Sequence, residues 1–191
     1  MSVRVLVIPE DPFNNGYILK PLVDAVLADV GKPLAKTQIL INPRLRGYDH
    51  ALKAIREDLP DRYRFWDLWI FFPDADRAGP DAMQALETDL LGKGVSLLCC
   101  PAQPETEIYC CAAHPKALGI SWEEARQHPR LKEEIFGPLL NRYGDHNRVG
   151  EGRDLLIGMA LKNLPHFYRL CPEIKALRDR IDSHFVMDSA R

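Results

Sequence analysis

An α/β fold built on a parallel sheet is what the sequence predicts, and three observations predict it. Four short apolar runs, VRVLVIP (3–9), TQILIN (37–42), WDLWIFF (66–72) and VSLLCC (95–100), are spaced along the first hundred residues. Between them lie three stretches with apolar residues at helical spacing. The first and third runs lack the polar alternation of a half-exposed strand, as expected where helices cover both faces. Strand and helix in strict alternation then give a parallel sheet with helices on both sides.

The elements follow in order. After strand 3–9 comes the polar turn EDPFNNG, then a helix over 17–31, with Pro21 near its first turn and Gly31 as a stop signal. Strand 37–42 leads to a helix over 48–59. Strand 66–72 leads to a helix over 80–94, which opens on Pro80 and closes on Gly94. Strand 95–100 ends the alternation at PAQP (101–104). Beyond it the helical pattern dominates, in ETEIYCCAA, RLKEEIFGPLL, GRDLLIGMALKNL and PEIKALRDRIDSHF. Residues 1–104 therefore read as an α/β core, and residues 105–191 as a helical extension packed on it.

Bulk composition narrows the class. The 191 residues carry 25 basic and 27 acidic side chains, a net charge of −2. Nucleic-acid binding through overall positive charge is thereby excluded, while a local basic face is not. The five cysteines fall as two adjacent pairs and lone Cys171. That is a poor disulfide framework and points to a reducing compartment. Adjacent cysteines also lack the ligand spacing of structural zinc sites, so Cys99, Cys100, Cys110 and Cys111 are expected to pack in the core. With no charged-then-apolar leader and no apolar run long enough for a bilayer, a soluble cytoplasmic protein is expected.

The third strand runs straight into Asp74 and Asp76. Alone, such a pair is as well explained by loop or cap residues ahead of the next helix. Its position changes the balance. In an open parallel sheet, ligands bind outside the carboxyl ends of the strands. Glu10 follows strand one, Asp74 and Asp76 follow strand three, and Glu105 and Glu107 follow strand four. If strands one and three are neighbours, these acids share one edge, and clustered carboxylates repel unless a cation or protons intervene. Mg²⁺ favours a few carboxylates with water and substrate phosphate.

The arrangement resembles the TOPRIM domain of topoisomerases, bacterial primases and OLD-family nucleases. Its signature is a glutamate after the first strand and Asp-x-Asp-x-x-Gly after the third. VRVLVIPE supplies Glu10, and FFPDADRAG supplies Asp74, Asp76 and Gly79. The resemblance implies a Rossmann-like TOPRIM sheet of about four strands, Mg²⁺ or Mn²⁺ on the aspartates, and metal binding or proton transfer at Glu10. More narrowly, PETEIYC (104–110) is similar to a segment of small bacterial TOPRIM-like proteins linked with ATPases in phage defence. That likeness would add Glu105 or Glu107 as a metal ligand. The chain departs from the pattern after Glu10, where DPFNNG replaces a glycine-rich stretch, and at Tyr109-Cys110, where Ala-Trp is common.

Arg44 and Arg46, in NPRLRGYDH, follow strand two at the same edge and are candidates to hold a phosphate backbone. Arg148 and Arg153, in RYGDHNRVGEGRD, precede a helix whose N-terminus favours anions. For each group a solvated loop is the alternative. The expected activity is metal-dependent hydrolysis of DNA or RNA, acting with a partner ATPase. Water is the expected attacker, since no tyrosine can be assigned as a nucleophile. The alternatives are a catalytically weak TOPRIM-like scaffold that binds nucleic acid or a protein, and a nucleotide-sugar transferase. A haloacid-dehalogenase-type phosphatase is disfavoured because its acidic pair stands on the first strand.

Overall fold

The computed structural model of the chain describes residues 3–75 and 79–189, so Asp76 of the acidic pair lies outside the described residues. Four strands, β1 (Arg4–Pro9), β2 (Lys36–Ile39), β3 (Leu68–Phe72) and β4 (Leu97–Cys99), form one all-parallel sheet in the order β2-β1-β3-β4. The crossovers are α1 (Gly16–Asp29), α2 (Tyr48–Glu57) with α3 (Leu59–Tyr63), and α4 (Pro80–Gly92). The helices beyond the sheet are α5 (Ile108–Cys111), α6 (Trp122–Ala125), α7 (Gly137–Tyr143), α8 (Arg153–Ala160), α9 (Leu164–Leu170) and α10 (Pro172–Ser189). Among the described residues, no helix is long and apolar enough to cross a membrane.

The period-two geometry of the central strands sorts their side chains into two cores. Val5, Val7, Leu68, Ile70 and Phe72 face one way, onto Leu19, Leu22, Val23 and Val26 of α1 and onto Ile157, Phe167, Ile174 and Ile181 from the C-terminal helices. Leu6, Ile8, Trp69 and Phe71 face the other way, onto Ala51 and Ile55 of α2 and Leu86 and Leu90 of α4. Right-handed crossovers produce this division. The chain moves one way from β1 to β2 and the opposite way from β2 to β3 and from β3 to β4. The helical region after β4 thus shares its core with α1.

Some boundaries differ from the sequence reading. The helix expected over 48–59 is two, because Pro60 sits in the first turn of α3, where its missing N–H costs nothing. Strand β2 stops at Ile39 and shows the alternating exposure of an edge. Strand β4 is only three residues long. Its outer edge is closed by side chains: Glu87 accepts the Cys99 N–H at 2.6 Å, and Arg180 donates to the Cys99 carbonyl at 3.1 Å. Such closure keeps a short edge from pairing with another chain. All five cysteines are buried and free, as core packing requires.

The loop before α8 packs on the start of α1. Gly150 lies against the Tyr17 ring, where a Cβ would sit 2.5 Å from the ring carbon Cγ. Gly152, at φ +85°, has room for no side chain either, since its Cβ would fall 2.3 Å from the Asp145 nitrogen. Gly152→Ala is therefore expected to destabilise the protein by about 2–3 kcal/mol, lowering its melting temperature by roughly 4–10 °C. Gly158, exposed within α8 with nothing near its missing Cβ, is the opposite case. Gly158→Ala should stabilise by about 0.5–1 kcal/mol in the same thermal-unfolding measurement.

Candidate functional site

With β1 central and β2 and β3 on either side, the chain direction reverses between β1 and β3. A crevice opens at the carboxyl ends of strands at such a switch point. Glu10 and Asp74 are the first acids beyond these two strands. The N–H of Asp74 donates to Glu10 Oε1 at 3.3 Å, which ties the two strand ends together. The segment after β4 joins them. Asp74 makes a parallel bridge to Ala102, and the Ala75 N–H is shared between the carbonyls of Ala102 and Pro104 at 3.0 and 3.1 Å. The chain then turns through Glu105 and Thr106 into α5, with Glu107 as its cap residue.

Four carboxylates from three strand ends meet here. Asp74 is largely buried; burial first, then the charges of Glu10, Glu107 and Glu105, push its carboxyl up to about 7 against the relief of a hydrogen bond from the Thr106 N–H. Its Oδ1 is buried and has no hydrogen-bond partner. Glu107 is only 2% exposed, and its Oε1 likewise lacks a hydrogen bond. Glu105 is raised by burial and by the Glu107 charge, while Lys132 pulls it down.

The compensating cation comes from far along the chain. Lys132 Nζ stands 3.3 Å from Glu107 Oε1, an ionic contact without hydrogen-bond alignment, and the Lys132 N–H donates to Glu105 Oε1 at 2.6 Å. Burial lowers the Lys132 ammonium, but Glu107, Asp11 and Glu105 outweigh it, and the group stays protonated with a raised pKa. Lys132 opens a π-helical turn, Lys132–Phe136, that runs into α7. Such turns recur at functional sites because they re-aim side chains. Nothing in the sequence around Lys132 marks it, since its partners lie 25 and 27 residues away.

The donor set suits a hard divalent cation in kind. All the donors are carboxylate oxygens; the buried Asp74 Oδ1 accepts no hydrogen bond, and the buried Glu107 Oε1 has only the Lys132 ammonium beside it. Among the described residues, however, no three His, Cys, Asp or Glu side chains converge closely enough to hold an ion by themselves. Asp76, the remaining acid of the pair, is outside those residues.

The basic candidates divide. Arg44 and Arg46 are exposed in the loop after β2, and with Glu10 they line a cleft of about 410 Å³. His50 Nδ1 accepts the Arg46 N–H at 3.1 Å and braces that loop. Arg148 is ion-paired with Asp154 at 2.6 Å. Arg153 is 6% exposed and spends one nitrogen on the Gly150 carbonyl and on Glu151 Oε2, with its guanidinium over the Phe136 ring. Its placement is that of a loop anchor. The Arg148 and Arg153 loop does border the same edge, through Gly150 and Tyr17 at the start of α1.

Comparison with known proteins adds no relative: no protein-family model, no curated protein and no solved structure matches the chain. Fold and site together define a Rossmann-like parallel α/β protein with an acidic switch-point crevice.

The raised carboxyl of Asp74 makes a prediction about pH. A group whose folded pKa exceeds its unfolded value favours folding at low pH, and that contribution is lost as pH climbs through the folded value. For Asp74 the window runs from 3.8 to about 7, and the loss amounts to up to about 4 kcal/mol. Asp74→Asn should therefore melt above the wild type in EDTA at about pH 8, with the gap closing toward about pH 4. Thermal unfolding across that range checks it.

Proposed function

We propose that the chain is a TOPRIM-type metal-dependent phosphodiesterase that cleaves nucleic acid. The observation that carries this reading is the meeting of Glu10 and Asp74 at the β1/β3 switch point, beside two glutamates, with the buried Asp74 Oδ1 left without a hydrogen-bond partner. Mg²⁺ or Mn²⁺ on Asp74, Asp76, Glu10 and Glu107 would neutralise phosphate charge and lower the pKa of a bound water. The chain's own residues supply the rest. Burial of Asp74 penalises its charge when no cation is present, and a bound divalent ion would relieve that penalty. Glu10, whose Oε1 accepts the Asp74 N–H, would bind metal or take a proton from attacking water. Lys132 offsets part of the negative charge that would otherwise repel a phosphate. Arg44 and Arg46 bind the phosphate backbone beyond the reacting group. In this reading a partner ATPase supplies the trigger, in the setting of phage defence.

A second reading is a TOPRIM-like scaffold that binds nucleic acid or a protein without cutting. It is favoured by the absence, among the described residues, of three converged ligands. Cleavage of plasmid, linear and single-stranded DNA and of RNA in Mg²⁺, Mn²⁺ or EDTA separates the two. The nuclease reading expects metal-dependent products. Glu10→Ala and Asp74→Ala should each reduce them by more than the roughly 10–100-fold typical of an outer-shell change. Cleavage that persists in EDTA or in both variants sinks the proposed site. Metal binding with no cleavage of any substrate favours the scaffold.

A further inference from the structure

Beside the acids, the cleft lined by Glu10, Asp11, Phe13, Arg44, Arg46 and Gly47 holds an aromatic side chain in an unusual position. Phe13 is 59% exposed although it stands in the turn that joins β1 to α1. The turn that presents it is built for the purpose. Asp11 Oδ1 accepts the Phe13 N–H at 2.9 Å, Asp11 Oδ2 accepts from Asn14 Nδ2 at 3.3 Å, and the Asp11 carbonyl accepts the Asn15 N–H at 3.2 Å. This is the self-bonded turn that aspartate favours, and it leaves Phe13 no choice but to project. The Arg44 guanidinium lies over the ring, 4.5 Å from its centroid. Among the described residues, neither Arg44 nor Arg46 is paired with a carboxylate. An exposed ring, a stacked guanidinium and a second unpaired arginine thus border one cleft of about 410 Å³, within the size of small-ligand sites.

We infer that this cleft is a subsite for one unpaired nucleotide of a single-stranded nucleic acid, whose base stacks on Phe13 and whose phosphate is held by Arg44 and Arg46. The inference rests on the nuclease reading for its substrate class and narrows it from nucleic acid to single strands or unpaired ends. A base within a duplex is stacked on both faces by its neighbours and cannot lie on a side chain, whereas an unpaired base has a free face. Two arginines supply the phosphate contact but no discrimination between strands. Phe13 supplies the discrimination.

The test is binding of the intact protein, in EDTA, to a fluorescent oligo-dT, to a matched duplex, and to a strand of abasic sites with the same number of phosphates. The wild type should bind oligo-dT about tenfold or more above the other two. Phe13→Ala should lose that preference while keeping its affinity for the abasic strand, and Phe13→Trp should restore it. Because Phe13 is mostly exposed, these variants keep the core intact. Arg44→Ala should weaken all three ligands and lower the salt slope by about one. Equal affinity for oligo-dT and the abasic strand, an unchanged preference in Phe13→Ala, or no binding of any ligand overturns the subsite. Since no metal is needed, the outcome is independent of cleavage. Cutting with an inert Phe13 would leave the nuclease reading standing without the subsite. A Phe13-dependent preference without cutting would leave the subsite standing without the nuclease.

Discussion

The parallel pairing of β1 with β3 is the constraint on which the rest of the molecule depends. It brings together two strands more than sixty residues apart in sequence, in register from Val5 with Leu68 to Pro9 with Phe72. Every residue of β3, and every residue of β1 after Arg4, is buried, so each strand feeds both cores at once. A one-residue slip would exchange the side chains meant for α1 with those meant for α2 and α4. The same pairing sets the reversal of chain direction, and with it the place where Glu10 and Asp74 meet.

Bringing those acids together creates an electrostatic problem that the C-terminal region partly solves. Asp74, Glu105 and Glu107 are withdrawn from water to different degrees; the charges of Glu10, Glu107 and Glu105 raise the cost of charging Asp74, and that of Glu107 raises the cost of charging Glu105. Lys132, from the turn before α7, answers with one ammonium and one backbone N–H. Among the described residues this ammonium answers Glu107, while the buried Asp74 Oδ1 has no hydrogen-bond partner. The proposed function takes that buried oxygen and its neighbouring acids as the place for a divalent ion. The loop after β2 has the opposite character, with two guanidinium groups that have no carboxylate partner among the described residues, that of Arg44 lying over the exposed ring of Phe13. Acid and base therefore lie next to each other along one edge.

Much of this was legible before any coordinates. The order of strands and helices, the placement of Glu10, Asp74, Glu105 and Glu107 at strand ends, and the packing of the cysteines all follow from apolar runs and spacing. The misreadings are of two kinds. The ends of β2 and β4 read too long, because Leu40 and Cys100 stay buried and still donate to the Val7 and Phe71 carbonyls although the strands end at Ile39 and Cys99. Arg153 reads in sequence like Arg148, a basic residue in a polar loop. Only the packing of that loop against Phe136 buries one and leaves the other exposed.

By itself the sequence determined the class of fold and put the acids that follow strands one, three and four at one edge of the sheet. Those properties depend on local periodicity and on the handedness of crossovers, which neighbouring residues carry. The tertiary structure alone decided which groups face one another there. Lys132 meets Glu107, Arg44 covers Phe13, and Arg180 and Glu87 close the β4 edge. These partners are separated by 25, 31 and up to 93 residues, with no periodicity linking them. Their meeting is a consequence of how the helices dock on the two faces of the sheet, and burial then sets the strength of each contact.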